Sequence, residues 1–240
     1  MLSGSLSRKY WNHFIEAKDI CEQSGYTVHQ AIYNAASFGV PQERFRTVVI
    51  AMKKDFLLPT PLIHDPAHFF TVWDAIGDLP PVIPGKAHPD DHLHRSAAHR
   101  ASTIETIRAV PKNGGNRPQG VGPKCLDRIR GFYDVYGRLF WNRPSITITH
   151  YARNPASGRY VHPQQHRGLT TREAALLQSF PLGFEFVGSF DSVFKQIGEA
   201  VPPKLACAIA SNVLIELIAK APSEHEKAAS FKSVTEPVSN

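Results

Sequence analysis

Apolar residues recur at helical spacing between positions 8 and 24, at Trp11, Phe14, Ile15 and Ile20, a period that lines one face of a helix. Gly25 then supplies a stop. Tyr26 to Ile32 reads as a strand, and Gly39 and Pro41 make 34–44 a loop. Phe45 to Met52 is apolar and β-branched, which predicts a second strand and, with the first, a long-looped hairpin. Pro59 to Pro84 is proline-rich with one short helix candidate, Thr71 to Gly77. From Gly85 to Pro144 little periodicity survives beyond a helix around Ser102 to Val110, and Asn113-Gly114-Gly115-Asn116 is a turn signal. Ser145 to Thr149 reads as a short strand. Helical signals return at Thr170, an N-cap whose capping box closes on Glu173, and this helix ends before Pro181. Pro202 and Pro203 open a last helix running to about Ala219. Apolar positions nearly encircle that helix, which predicts burial. The tail from Pro222 is polar and patternless, so disorder is expected over 221–240.

Composition changes this picture in one place. The chain of 240 residues is 42% hydrophobic and 20% charged, a globular mix. Net charge is +6, yet Lys86 to Arg167 alone holds fourteen Lys or Arg against five Asp or Glu. That window is therefore +9 and the remainder slightly acidic. A basic segment in a balanced protein suits phosphate neutralisation; a solvated basic face is the other reading of charge alone. No run of eighteen apolar residues occurs, so no membrane span is expected, and Met1 to Lys9 lack the apolar stretch of a secretory signal. Cys21, Cys125 and Cys207 are widely spaced and point to a reducing cytoplasm. His88, His92, His94 and His99 lack regular ligand spacing, so no metal site is expected.

Three segments carry candidate chemistry. In Gln42-Glu43-Arg44-Phe45-Arg46 the side chains of Gln42, Arg44 and Arg46 share one parity of an extended chain, a row of donors suited to a phosphate or a base carbonyl. In Arg167-Gly168-Leu169-Thr170-Thr171-Arg172-Glu173-Ala174-Ala175-Leu176-Leu177-Gln178-Ser179-Phe180-Pro181, Arg172 sits in a first helical turn, where the dipole disfavours a cation, which points to a partner anion or carboxylate; a plain packing helix is the other reading. In Gln196-Ile197-Gly198-Glu199-Ala200-Val201-Pro202-Pro203, a glycine and small residues before a proline-opened helix would let a ligand approach the backbone.

In this order the three segments resemble the Q-x-R-x-R, R-x-L-T-x-R-E-A-x-x-L-Q-x-F-P and G-N-A-V-P-P motifs of the DNA cytosine-5 methyltransferases. Trp73-Asp74-Ala75-Ile76-Gly77-Asp78-Leu79-Pro80, Tyr136-Gly137-Arg138-Leu139 and Pro144-Ser145-Ile146-Thr147-Ile148-Thr149 add shorter matches. The resemblance spans roughly residues 8 to 215. It implies an α/β fold: the C-terminal part of a Rossmann-like S-adenosylmethionine-dependent methyltransferase domain, a strand pair plus helices with an inserted, loop-rich target-recognition lobe. The implied division is strands and helix over 1–84, the lobe over 85–167 and closing helices over 168–220.

The resemblance also implies roles. Arg44 and Arg46 match arginines that contact the flipped cytosine, its phosphate and the catalytic loop, with Gln42 shaping that site. Arg172 and Glu173 match a capping and lobe-bridging pair. Gly198, Glu199, Ala200 and Val201 match the segment that closes over S-adenosylmethionine, although the family's asparagine is Glu199 here, and a carboxylate can only accept hydrogen bonds. Arg95, Arg117, Arg128, Arg130 and Arg138 are candidate DNA contacts within the basic lobe, most of them positioning on phosphate. The family's Pro-Cys-Gln nucleophile loop, Glu-Asn-Val motif and Phe-x-Gly-x-Gly cofactor loop do not occur. The expectation is a chain that meets duplex DNA, shares its cofactor site with a second polypeptide carrying those motifs, and works in the bacterial cytoplasm at the nucleoid. A stand-alone DNA-binding protein or a decayed, non-catalytic fragment is the alternative.

Overall fold

The computed structural model describes residues 11–128, 131 and 133–219. The expected disordered tail over 221–240 and the candidate Arg130 lie outside the described residues. The described residues divide into two compact units, the first from 11–39, 44–68 and 204–219, the second from within 40–43 and 69–203.

In the first unit, helix α1 (Trp11–Gln23) lies against strand β1 (Thr27–Asn34). β1 pairs antiparallel with β2 (Phe45–Met52), in register from Thr27 opposite Met52 to Asn34 opposite Phe45, the hairpin the strand patterns predict. One face of this two-stranded sheet carries Ala31, Tyr33, Ile50 and Met52, all buried with Phe38, Phe56 and Leu58. The Tyr33 ring meets Phe38 edge-on at 5.2 Å, and its hydroxyl donates to Pro59 O at 2.8 Å. On the opposite face Ile32, Phe45 and Val49 are exposed, while Val28 is buried. The last helix, α7 (Pro203–Ile218), departs from expectation: its side chains are mostly open to solvent, with Leu214 64% and Ile218 88% exposed. An apolar surface on every side would need cover on every side, and within this unit Leu205 is its buried apolar residue.

The second unit holds α2 (Val72–Ile76), the small pair β3 (Ala87–His88) and β4 (Asp91–Arg95), α3 (Ala101–Ala109), α4 (Cys125–Arg128), α5 (Thr171–Leu177) and α6 (Phe190–Glu199). Thr71 and Asp74 form a reciprocal capping box at α2. Its main core joins Val72, Ile76, Leu93, Leu139, Ile148, Leu169, Leu177, Phe194 and Ile197; a smaller one gathers Ile107, Val110, Val135, Tyr136 and Val161 under α3. Because α5 and α6 contribute to the same core as Leu93 and Ile148, they pack with the basic stretch, and the unit boundary falls after His68 rather than at 84 or 167. The segment expected as a strand at Ser145 to Thr149 makes only a parallel bridge from Ser145 to Gln42. α6 was not anticipated, although Ser189 caps it and Phe190, Val193, Phe194 and Ile197 repeat at helical spacing. By length and composition alone the stretch Phe190–Ile218 could cross a membrane. It is, however, two helices of 10 and 16 residues, broken at Ala200–Pro202, and each is short of the roughly 20 residues a span needs.

Candidate functional site

The three sequence motifs meet at a pair of buried amides in the second unit. Gln42 and Gln178 are both fully buried. The Gln42 amide oxygen accepts from Ile148 N at 2.8 Å, and its amide nitrogen donates to Leu177 O at 3.2 Å and to the Gln178 amide oxygen. Gln178 in turn donates to Ile197 O at 2.8 Å and Ala200 O at 3.2 Å. A short relay thus runs from the first motif through the end of α5 to the end of α6. Gln42 is fixed further by its backbone neighbours: Ser145 N donates to Pro41 O at 3.0 Å, and Glu43 N to Ser145 O at 2.9 Å. Gln42 is therefore a structural joint, its hydrogen-bonding capacity committed to protein.

Arg44 and Arg46 belong to the first unit. Asn34 Oδ1 accepts from Ala36 N and Arg44 N, each at 3.2 Å, and Ala35 N donates to Arg44 O at 2.9 Å, so the neck of the loop between the strands is pinned. The Arg44 side chain is buried. Arg46, inside β2, is half-buried and uses one guanidinium nitrogen on Phe45 O at 2.7 Å. Burial holds its pKa below the usual arginine range.

The second motif is built around an acid. Glu173 closes the capping box with Thr170, accepting from Thr170 N at 2.8 Å. It also takes a two-pronged bond from Arg167, at 2.8 and 2.6 Å. Both side chains are 1% exposed. Burial pushes the Glu173 carboxyl up, but the Arg167 charge and hydrogen bonds prevail and bring it down to about 2. His162 lies 3.7 Å from the same carboxylate. Its burial outweighs that attraction and lowers its pKa to about 4, so at neutral pH it is uncharged. Its Nδ1 accepts from Gln164 N and Gln165 N at 3.0 Å each, which fixes the proton on Nε2. Arg172 has the acidic partner its position calls for. It grips Asp91 at 2.6 and 3.0 Å and donates to Leu182 O at 2.6 Å. Burial raises the Asp91 pKa, but Arg172 outweighs it and the carboxyl sits below its ordinary range.

The basic stretch divides sharply. Arg138 is fully buried and spends all five guanidinium donors: on the carbonyls of Val110, His162, Gln165 and Ile107 at 2.7 to 3.0 Å, and on His166 Nδ1 at 2.9 Å. This corrects its expected role on DNA; it is a scaffold residue that serves backbone without a ladder partner. Arg117 is likewise spent within its own loop, on Val121 O at 2.6 Å and Asp127 at 2.8 Å. Arg159, absent from the sequence candidates, holds Asp134 at 2.7 Å and donates to Gly114 O at 2.9 Å and to Asn116. The Asn113–Asn116 turn, with carbonyls needing donors, was the available signal. Arg95 and Arg128 are exposed.

The closing motif is tight rather than open. A Cβ on Gly198 would stand 2.1 Å from His150 N and 2.3 Å from Thr149 C. The space this glycine clears is thus filled by the protein's own backbone, not by a ligand. Glu199 and Val201 are exposed and Ala200 is half-buried. Gly198→Ala is expected to lower stability by about 1–3 kcal/mol through overpacking against unyielding main chain. Urea unfolding checks this; an unchanged midpoint would refute the close approach.

Comparison with known proteins follows these same residues. A profile of the C-5 cytosine-specific DNA methylases matches residues 1–214. The Type II methylase M.HgiDII of Herpetosiphon aurantiacus is 35% identical over 215 residues, 85% of this chain and 59% of that protein. The Type II methyltransferase M1.HphI of Haemophilus parahaemolyticus is 39% identical over 198 residues, 80% of this chain and 49% of that one. The chain therefore spans about half the length of these relatives. The Type II methyltransferase M.AquIB of Picosynechococcus is itself short: 136 residues at 39% identity cover 88% of it and 52% of this chain. Among solved structures, an E. coli prophage protein described as a DNA modification methyltransferase superposes with a TM-score of 0.67 at 21% identity, over 90% of this chain and 68% of that one. The Entamoeba histolytica methyltransferase EhMeth gives 0.51 at 13%, over 86% and 59%. Such identities speak for the fold, an α/β methyltransferase architecture. With the profile matching residues 1–214 and relatives 35% and 39% identical over 215 and 198 residues, this chain belongs to the C-5 cytosine-specific DNA methylase family.

Proposed function

We propose that the chain is the C-terminal share of an enzyme that moves a methyl group from S-adenosylmethionine to carbon 5 of cytosine in duplex DNA, with the nucleophile and most of the cofactor site on a complementary portion. The observation that carries the need for a complement is the exposed, all-round apolar α7, together with the exposed Ile32, Phe45 and Val49 on the β1–β2 pair of the same unit. A two-stranded sheet is marginal by itself, and additional strands with their helices would bury both features. The shortness of M.AquIB supports the same division.

On this reading S-adenosylmethionine supplies the methyl group when bound. The exposed Glu199, Val201 and the backbone of Ala200 are this chain's residues available to it. A carboxylate at 199 suits a ligand that carries positive charge, where the family's amide would serve as a neutral donor and acceptor. Arg46 offers its remaining guanidinium donors to the target nucleotide. The buried Arg44 shapes the loop. Arg95 and Arg128 meet DNA phosphate, residues 85–167 form the target-recognition lobe, and the protein works on bacterial DNA in the cytoplasm within a restriction–modification pair.

The test is a methylation assay with labelled S-adenosylmethionine on three samples: the chain alone, the chain co-expressed with the product of the upstream gene, and that mixture with Arg46→Ala. The expected result is no transfer, transfer, and a loss of about 100-fold or more. Turnover by the chain alone would overturn the missing-half reading, and full activity of the Arg46→Ala mixture would overturn the role of Arg46. Glu199 in place of asparagine favours a second reading, a non-catalytic DNA-binding protein; a complemented mixture that binds duplex but transfers nothing would support it.

A further inference from the structure

A cleft of about 410 Å³ opens in the second unit among Arg95, Ser96, His99, Arg153, Phe190 and Asp191. Its size is in the range of small-ligand sites. The Arg95 guanidinium lies 5.0 Å from the centre of the Phe190 ring. Beyond that ring, the Arg95 side chain has no hydrogen bond or ion pair with any described residue. Stacking on a ring fixes the plane of a guanidinium and leaves its N–H edge free for a two-pronged bond. Across the cleft Arg153 Nε is bound to Asp191 Oδ1 at 2.7 Å, so that pair is electrically neutral. His99 accepts from Gly168 N at 3.0 Å, and burial together with the Arg167 charge holds its pKa below the ordinary histidine range. One uncompensated positive charge remains, on Arg95. Phe190 and Asp191 also open α6, whose first turn adds partial positive charge.

We propose that this cleft seats one phosphodiester group of the DNA backbone, gripped by Arg95 over Phe190. The charge balance selects a diester: it carries one negative charge, whereas a phosphomonoester or free phosphate carries nearly two and would face the Asp191 carboxylate with a single cation to offset it. The inference rests on the DNA-binding reading above and adds the place and valence of one contact.

The experiment is fluorescence anisotropy of the full chain with labelled duplex between about 50 and 200 mM salt. Arg95→Gln is expected to reduce the slope of log affinity against log salt by about one. Asp191→Asn frees Arg153 and is expected to steepen the slope and tighten binding, a gain that misfolding cannot produce. Inorganic phosphate is expected to compete no better than dimethyl phosphate. A steep wild-type slope that neither variant changes overturns the cleft assignment and leaves the DNA reading standing. A flat wild-type response overturns both, and preferential competition by inorganic phosphate overturns the diester in favour of a free phosphate site.

Discussion

Arg138→Met is expected to destabilise the chain by on the order of 4 kcal/mol, because the carbonyls of Val110, His162 and Gln165 lose the guanidinium donor at once and that of Ile107 is left with the Val110 N–H alone. Val110 and Ile107 stand at the end of α3, where carbonyls run out of helical donors and Ile107 O accepts from Val110 N at 3.1 Å as well. His162 and Gln165 lie in a loop with no strand beside it, and Arg138 serves all four. Methionine matches much of the volume but offers no proton. Arg138→Lys is expected to rescue little, since an ammonium is a point donor and cannot span carbonyls set around a planar fork. Against a typical total of about 5–15 kcal/mol, such a loss consumes a large share of stability. Urea unfolding measures it. Equal midpoints for wild type and Arg138→Met would return Arg138 to the DNA-contacting set.

Glu173→Ala is expected to cost about 3–5 kcal/mol, because it strands the Arg167 guanidinium in the interior without its counter-charge. The same pair predicts how the wild type responds to acid. Glu173 titrates at about 2 in the folded chain, below its ordinary 4.5, so it contributes stability that is fully present above about 4.5 and lost as pH falls towards 2. His162, at about 4 against an ordinary 6.5, is held neutral in the fold. The unfolded chain takes up that proton first, so stability already declines as pH drops from 6.5 towards 4. Acid unfolding of the wild type should therefore begin in the histidine window and deepen in the carboxylate window. Glu173→Gln removes the carboxylate titration, so its decline below pH 4.5 should be shallower. A wild-type stability constant from pH 6.5 down to pH 3 would contradict both assignments.

Residues whose signal is local were read correctly from sequence. The β1–β2 hairpin follows from β-branched runs flanking Gly39 and Pro41, and Thr170 with Glu173 announces both the start of α5 and its cap. Arg172 pointed to an anion or a carboxylate because a helix dipole acts within one turn, and the Asp91 carboxylate answers from elsewhere in the chain. What was not legible depends on direction in space. Arg95, Arg117 and Arg138 look alike in a basic stretch, yet one stacks over a ring, one is tied up in its own loop and one is buried. Charge counts cannot tell a guanidinium that meets phosphate from one that satisfies main-chain oxygens, and a loop-rich segment has many such oxygens. Gly198 was misleading for a related reason: a missing side chain signals a close approach without saying whether a ligand or the protein makes it. α7 shows the reverse case, a pattern that demands burial in surroundings that do not provide it.

The Gln42–Gln178 relay has a practical corollary in hydrogen exchange. The Ile148 amide proton is held by Gln42 Oε1 at 2.8 Å in a fully buried setting. It can swap with deuterium only when that joint opens. One slowly exchanging resonance would therefore act as a clock for the junction of all three motifs, telling a variant that has lost a contact with substrate from one whose scaffold has come apart.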